Sequence, residues 1–113
     1  DRGGRLVGEA LTAPGYRLYA LNGGPPARPG MVRVAPDDRN AEAAAIRVEV
    51  WALPAATLGS FVDGIPAPLG VGRVALADGR EVMGFLCESH AIADAIDITD
   101  YGDWRRWLAA SAA

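Results

Sequence analysis

The sequence contains no lysine; all eleven of its basic residues are arginines. It has a single cysteine, Cys87, and a single histidine, His90. One cysteine excludes an intramolecular disulfide framework and any multi-cysteine zinc site, and nothing in the pattern calls for a metal or another cofactor. No apolar run reaches membrane-spanning length, and the first residues do not read as a signal peptide, so no membrane partner is expected and a cytoplasmic location is. The net charge is −3, with the arginines scattered, which leaves no basic footprint for nucleic acid. The lysine-free, alanine-rich usage is what a GC-rich genome produces, and little chemistry is read into it.

What is present suits one domain. The chain has 113 residues, half of them hydrophobic, enough for a single packed core. No internal repeat or low-complexity tract divides it.

Residues 5–13 alternate roughly between apolar and polar and read as a strand, although Leu6, Val7, Ala10 and Leu11 also share a helical face. Pro14-Gly15 breaks that element, and Tyr16-Arg-Leu-Tyr-Ala-Leu21 follows as a second strand. A loop is expected over Asn22-Gly23-Gly24-Pro25-Pro26. A third short strand is expected over 31–35, between Pro29-Gly30 and Pro36-Asp37-Asp38, with an exposed tip through Asn40. Residues 46–53 form the clearest strand, with Ile46, Val48, Val50 and Ala52 on one face and Arg47, Glu49 and Trp51 on the other.

Pro54 suits the start of a helix, and Leu58, Phe61 and Val62 fall on one helical face. Gly64-Ile-Pro-Ala-Pro-Leu-Gly70 cannot continue it and reads as a stiff loop. Two apolar runs, 72–77 and 81–87, flank Asp78-Gly79, a strong hairpin signal. A short alanine-rich helical stretch is expected over 89–96. A last helix follows over 101–110, capped by Thr99 or Asp100, with Trp104, Trp107 and Leu108 on one face. The tryptophans either dock that helix or form part of a subunit contact, which would make a homodimer. The expected fold class is α+β, with a mostly antiparallel, barrel-like sheet of about six strands and two or three short helices.

The strand at 46–53, the following helix, the proline loop and the Asp78-Gly79 hairpin together resemble the γ-glutamylcyclotransferase-like fold. Closer wording lies in Tyr16-Arg-Leu-Tyr-Ala-Leu21, Pro29-Gly30-Met-Val-Arg-Val34, Val50-Trp-Ala-Leu-Pro54 and Ile65-Pro-Ala-Pro-Leu-Gly70. With Ala77-Asp-Gly79, Gly84-Phe-Leu-Cys-Glu88 and Gly102-Asp-Trp104, these resemble the C-terminal domain of allophanate hydrolase, from about residue 5 to residue 108. The resemblance implies a part in urea breakdown. In such enzymes an amidase domain deaminates allophanate with a Ser–Ser–Lys arrangement, and the C-terminal domain is associated with decarboxylating the product, N-carboxycarbamate. The amidase machinery is absent from this sequence, which has no lysine and only Ser60, Ser89 and Ser111. The implied partners are therefore that small anionic substrate and the amidase domain of the same enzyme.

Two departures from the family pattern matter. The family domain begins upstream with a strand ending in a Gly-Ala-His-Leu-type loop, and this chain starts after that point. It is therefore expected to lack the first strand and the histidine that strand carries. Cyclotransferases also place an acid after the central helix, where Gly64 and Ile65 stand here, so a stand-alone γ-glutamylcyclotransferase is the least favoured reading.

Decarboxylating a small dianion calls for donors to hold the carboxylates and an acid to protonate nitrogen as CO2 leaves. Arg17 and Arg33, on strands, are candidate clamps; the alternative is that both face solvent. Tyr19, facing opposite to Tyr16, offers its hydroxyl to a pocket or simply packs. Glu88, at the end of the last hairpin strand, is a candidate general acid, or else it caps the following turn or pairs with an arginine. His90 can couple to Glu88 or be merely exposed. The loop that carries Pro66, Leu69, Gly70 and Gly72 either lines an anion pocket with its available backbone N–H groups or only shapes the turn. Cys87 reads as buried and inert. The rival to a decarboxylase is a non-catalytic assembly module, for which an apolar surface patch is expected.

Overall fold

The computed structural model describes residues 3–22, 27–35 and 43–112. The loop expected over Asn22–Pro26 and the tip expected through Asn40 fall largely outside them. In chain order the elements are β1 (Arg5–Leu11), β2 (Tyr16–Leu21), β3 (Arg28–Arg33), β4 (Arg47–Ala52), α1 (Ala55–Asp63), β5 (Leu69–Ala75), β6 (Glu81–Cys87), β7 (Ile96–Asp97) and α2 (Trp104–Ala112). Two 3-10 turns, Ser89–Ile92 and Thr99–Tyr101, flank β7.

All the strand pairings are antiparallel, as expected, but the described strands do not close a barrel. They form three separate ladders: β1 with β4, β3 with β2 and β7, and β5 with β6. A break in register between Leu6 and Gly8 interrupts the β1–β4 ladder. Single bridges, Thr12 to Leu76 and Tyr16 to Ala44, link one ladder to the next. Packing of side chains joins them where hydrogen bonds do not. Gly30 on β3 lies so near β6 that a Cβ there would sit 3.2 Å from Cys87 Cβ and 2.7 Å from Leu21 Cδ2.

The core lies where the three ladders meet, on Tyr16, Leu18, Ala20, Met31, Ile46, Val74, Leu76 and Ile98. These positions follow from strand period: Tyr16, Leu18 and Ala20 share the inner face of β2, and Val48 and Val50 of β4 pack against the same cluster. Thr12 is fully buried because it satisfies backbone at the junction. Its N–H donates to Ile46 O at 2.9 Å, and its Oγ1 accepts the Ile46 N–H at 2.9 Å. The buried Tyr16 hydroxyl likewise accepts the N–H of Ala75 at 2.9 Å.

Several boundaries differ from the sequence pattern. β3 begins at Arg28 and runs through Pro29-Gly30, which reads locally as a break. Pro29 is tolerated because β3 is the edge of its ladder. The helix expected over 89–96 reduces to one 3-10 turn, and Ile96 and Asp97 instead pair with Ala20 and Tyr19 of β2. The last helix is not capped by Thr99 or Asp100. Thr99 is drawn into the core, Gly102 turns the chain at φ +66°, and Asp103 Oδ1 accepts the N–H of Arg105 at 2.9 Å. Trp104 and Trp107, with ring centroids 5.0 Å apart, dock α2 on the core. The Asp78-Gly79 hairpin forms as expected, with Gly79 at φ +94° and Asp78 Oδ1 accepting the N–H of Arg80 at 3.0 Å. That hydrogen bond, aided by the Arg80 guanidinium, holds the exposed Asp78 carboxyl below its ordinary range. No helix among the described residues is long and apolar enough to cross a membrane.

Candidate functional site

The sequence-derived candidates separate into three places. Arg17 and Tyr19 share the outer face of β2, opposite Tyr16, because residues two apart in a strand point the same way. They are half-buried and joined to each other: Arg17 Nε donates to the Tyr19 hydroxyl at 3.1 Å. The Arg17 guanidinium also pairs with the Oδ2 of Asp97. The other carboxylate oxygen of Asp97 accepts the Thr99 N–H at 2.9 Å and the Thr99 hydroxyl at 2.5 Å. Thr99 Oγ1 in turn accepts the N–H of Leu18 at 3.0 Å. The cluster is therefore wired into the β2–β7 pairing, and its arginine already holds a carboxylate.

Arg33 stays apart from this cluster. It is exposed, with its guanidinium over the Tyr16 ring at 5.7 Å from the centroid. Glu88 and His90 stand together beyond the end of β6, with His90 Nε2 and Glu88 Oε1 3.8 Å apart and both side chains largely exposed. Glu88 is at the N-cap position of the 3-10 turn but makes no side-chain cap; its backbone N–H donates to Pro68 O at 2.9 Å.

The proline loop supplies the third place. Between the C-terminal end of α1, the loop, the start of β3 and β6 lies an open depression of about 330 Å3. Its lining is Phe61, Gly64, Ile65, Pro66, Leu69 and Phe85, with Arg28 as the one charged residue. The Phe61 and Phe85 rings stack at 5.7 Å, which fixes the helix against the hairpin. Pro66 and Leu69 are among the residues that line this depression. Gly70 and Gly72 do not line it; they lie in the β5–β6 ladder opposite Leu86 and Gly84.

Sequence pattern overlooked Arg28, which stands next to the Pro29-Gly30 taken as a break and faces Leu21 in the β2–β3 register. It overlooked Phe61 and Phe85 as lining residues for a similar reason, since both read locally as core. Cys87, paired with Leu69 in the adjoining ladder, is buried as expected. Burial pushes its thiol pKa up, the charge of Glu88 adds to that, and the nearby Arg28 guanidinium works against it. Among the described residues no group of three or more histidine, cysteine or acidic side chains could hold a metal ion.

A domain of this topology, with strands in short antiparallel ladders, a proline loop and a terminal helix docked by two tryptophans, has close counterparts. The family model of the allophanate hydrolase C-terminal domain matches residues 1–109. The chain belongs to the allophanate hydrolase C-terminal domain family. It is 34% identical over 105 residues to urea amidolyase of Lachancea kluyveri, covering 90% of this chain and 6% of that protein. It is also 34% identical over 100 residues to urea amidolyase of Saccharomyces cerevisiae, covering 86% of this chain and 5% of that protein. Allophanate hydrolase of Kluyveromyces lactis superposes with a TM-score of 0.88 at 30% identity, over 97% of this chain and 18% of that one. A uropathogenic E. coli-specific protein, c4763, superposes with a TM-score of 0.82 at 35% identity, over 96% of this chain and 79% of that one. The chain thus spans a small part of the curated relatives it matches.

Proposed function

We propose that this domain works in urea degradation beside an amidase, and that it speeds the loss of CO2 from N-carboxycarbamate, the product of allophanate deamination. The reading is carried by the depression at the proline loop, where one guanidinium faces an otherwise apolar wall. A hollow of that kind suits a small carboxylate better than it suits a neutral amide. The residues of amidase chemistry are missing: the sequence has no lysine to complete a Ser–Ser–Lys set.

In the reaction the C–N bond to the departing carboxylate breaks, its electron pair stays on nitrogen, and a proton is delivered there, leaving carbamate and CO2. Glu88 with His90 is the assigned proton source, since the Glu88 backbone is bonded to the proline loop and the two side chains stand 3.8 Å apart. Pro66 and Leu69 form part of the wall. Arg17 and Tyr19 are tied to Asp97, so within this proposal they support the β2–β7 pairing and hold no substrate. The γ-glutamylcyclotransferase-like fold belongs to the same proposal, without the cyclotransferase reaction, because the resemblance puts Gly64 and Ile65 about where that family has its acid.

The test follows CO2 release from N-carboxycarbamate generated in place by an isolated amidase domain, with and without this chain. Acceleration that Glu88→Gln reduces severalfold is the expected result. Release at the uncatalysed rate removes the decarboxylase reading.

A second reading, a non-catalytic module that assembles the larger enzyme, is favoured by a separate observation. Val71, Met83 and Phe85, on paired strands, expose 38%, 56% and 48% of their surface. Apolar side chains clustered at that level of exposure are typical of a surface that meets another protein unit.

A further inference from the structure

The arginines of the described chain divide by what they face. Arg17, Arg47, Arg80 and Arg105 are in ion pairs with Asp97, Glu9 and Asp103, Asp78, and Glu49. Arg33 lies over a tyrosine ring, and Arg5, Arg73 and Arg106 are exposed. Arg28 differs from all of them. It is half-buried, it lines the depression, and among the described residues no carboxylate forms an ion pair with it. Its neighbours in the depression are aromatic rings, aliphatic side chains and the proline loop, and its charge and that of Glu88 both act on Cys87.

A guanidinium that has lost part of its water without gaining an anion is an unfavourable arrangement unless something supplies the anion. Its planar fork matches a carboxylate with two parallel hydrogen bonds, and apolar surroundings strengthen that pairing. The depression is open and of about 330 Å3, which leaves ample room for a small anion beside the guanidinium.

We infer that Arg28 is the carboxylate-binding residue of this domain, and that it holds the carboxylate that is retained while the departing one lies against the Phe61–Phe85 wall. The identity of the ligand rests on the decarboxylase reading; the site itself rests on the geometry. The arrangement has a chemical consequence. A departing carboxylate turns from a localised anion into neutral CO2, and an apolar wall disfavours the first far more than the second. A clamp on the other end keeps the molecule from turning round, so the charge that stays is the one Arg28 neutralises. The arginines favoured by sequence pattern, Arg17 and Arg33, are thereby assigned to packing and to the Asp97 pair.

Malonate, in which a methylene replaces the nitrogen of N-carboxycarbamate, is the stable probe. Titrated into the whole chain and followed by two-dimensional amide NMR, it is expected to shift signals from Arg28, Gly30, Gly64, Ile65, Leu69 and Phe85. Arg28→Gln is expected to weaken binding roughly tenfold or more, and Arg28→Lys by less. Arg106→Met, an exposed charge on α2, serves as the control for net charge and should bind malonate as the parent does. Absence of binding, binding unaffected by Arg28→Gln, or shifts centred on Arg17 and Asp97 would each overturn the inference. The parent's shift map decides the matter even if a variant does not fold. Paired with the CO2 assay, the outcomes separate. Malonate bound through Arg28 with release at the uncatalysed rate keeps the site and discards the decarboxylase reading. Accelerated release that Arg28→Gln leaves unchanged keeps the reading and discards Arg28.

Discussion

The hydroxyl of Tyr16 accepts the backbone N–H of Ala75 across 2.9 Å, binding the first residue of β2 to the last residue of β5. The ring is 1% exposed, so this is the means by which a buried tyrosine keeps its polar end satisfied while joining two ladders that share no strand pairing. Tyr16→Phe leaves the packing and removes the acceptor of a partly buried N–H. The expected loss is about 1–2 kcal/mol in denaturant unfolding, with the slope of the transition unchanged. An unchanged midpoint would mean that water reaches Ala75 and that the bond adds nothing.

Gly30 of β3 lies close against Cys87 of β6. A methyl group there must displace Leu21, whose Cγ would stand 3.0 Å away, and press on Cys87 Cβ at 3.2 Å. The second of these cannot swing aside, because it is fixed to the β6 backbone. Gly30→Ala is therefore expected to destabilise the domain by about 1–3 kcal/mol, against the usual small gain from replacing glycine. Thermal melts of the two proteins side by side decide the sign.

Asp97 holds two things at once: the Arg17 guanidinium on one oxygen and the Thr99 N–H and hydroxyl on the other. The ion pair is on a half-exposed face and contributes up to about 1 kcal/mol. The Thr99 bonds set the turn that enters the core. Asp97→Ala is thus expected to cost about 1–3 kcal/mol, more than Arg17→Met does. Equal losses in urea unfolding would assign the whole effect to the ion pair.

Cys87 carries a thiol whose pKa is raised, chiefly by burial and then by Glu88. The neutral thiol is the form the fold prefers, so stability is unaffected below the thiol pKa of the unfolded chain. It falls as pH climbs through the window between that value and the higher folded one. Alkylation by iodoacetamide near neutral pH is expected to be much slower than for an exposed thiol and to accelerate on adding denaturant. Fast alkylation of the folded chain at that pH would contradict the burial.

The local pattern of residues determined much of this protein. Alternation at 16–21 and 46–52 and the turn chemistry of Asp78-Gly79 prescribe strands and a hairpin that the fold contains, and the order of short motifs along the chain identifies the family. Burial of Cys87 followed from its place in an apolar strand. Each of these depends on neighbours in sequence, which is why periodicity and turn preference suffice. Tertiary structure alone decided the rest. β7 is two residues paired with a strand far back in the chain, too short to have a period of its own. Thr99 left the helix cap for the core because Asp97 and Leu18 offered it bonds that local sequence does not reveal. Separation of the described strands into three sets, in place of a barrel, depends on which strands hydrogen-bond across long stretches of sequence. Arg28 is one of many arginines in the sequence; only the meeting of β3, α1, the proline loop and β6 sets it in an apolar hollow where, among the described residues, no carboxylate forms an ion pair with it, because desolvation and charge pairing are properties of the assembled surface.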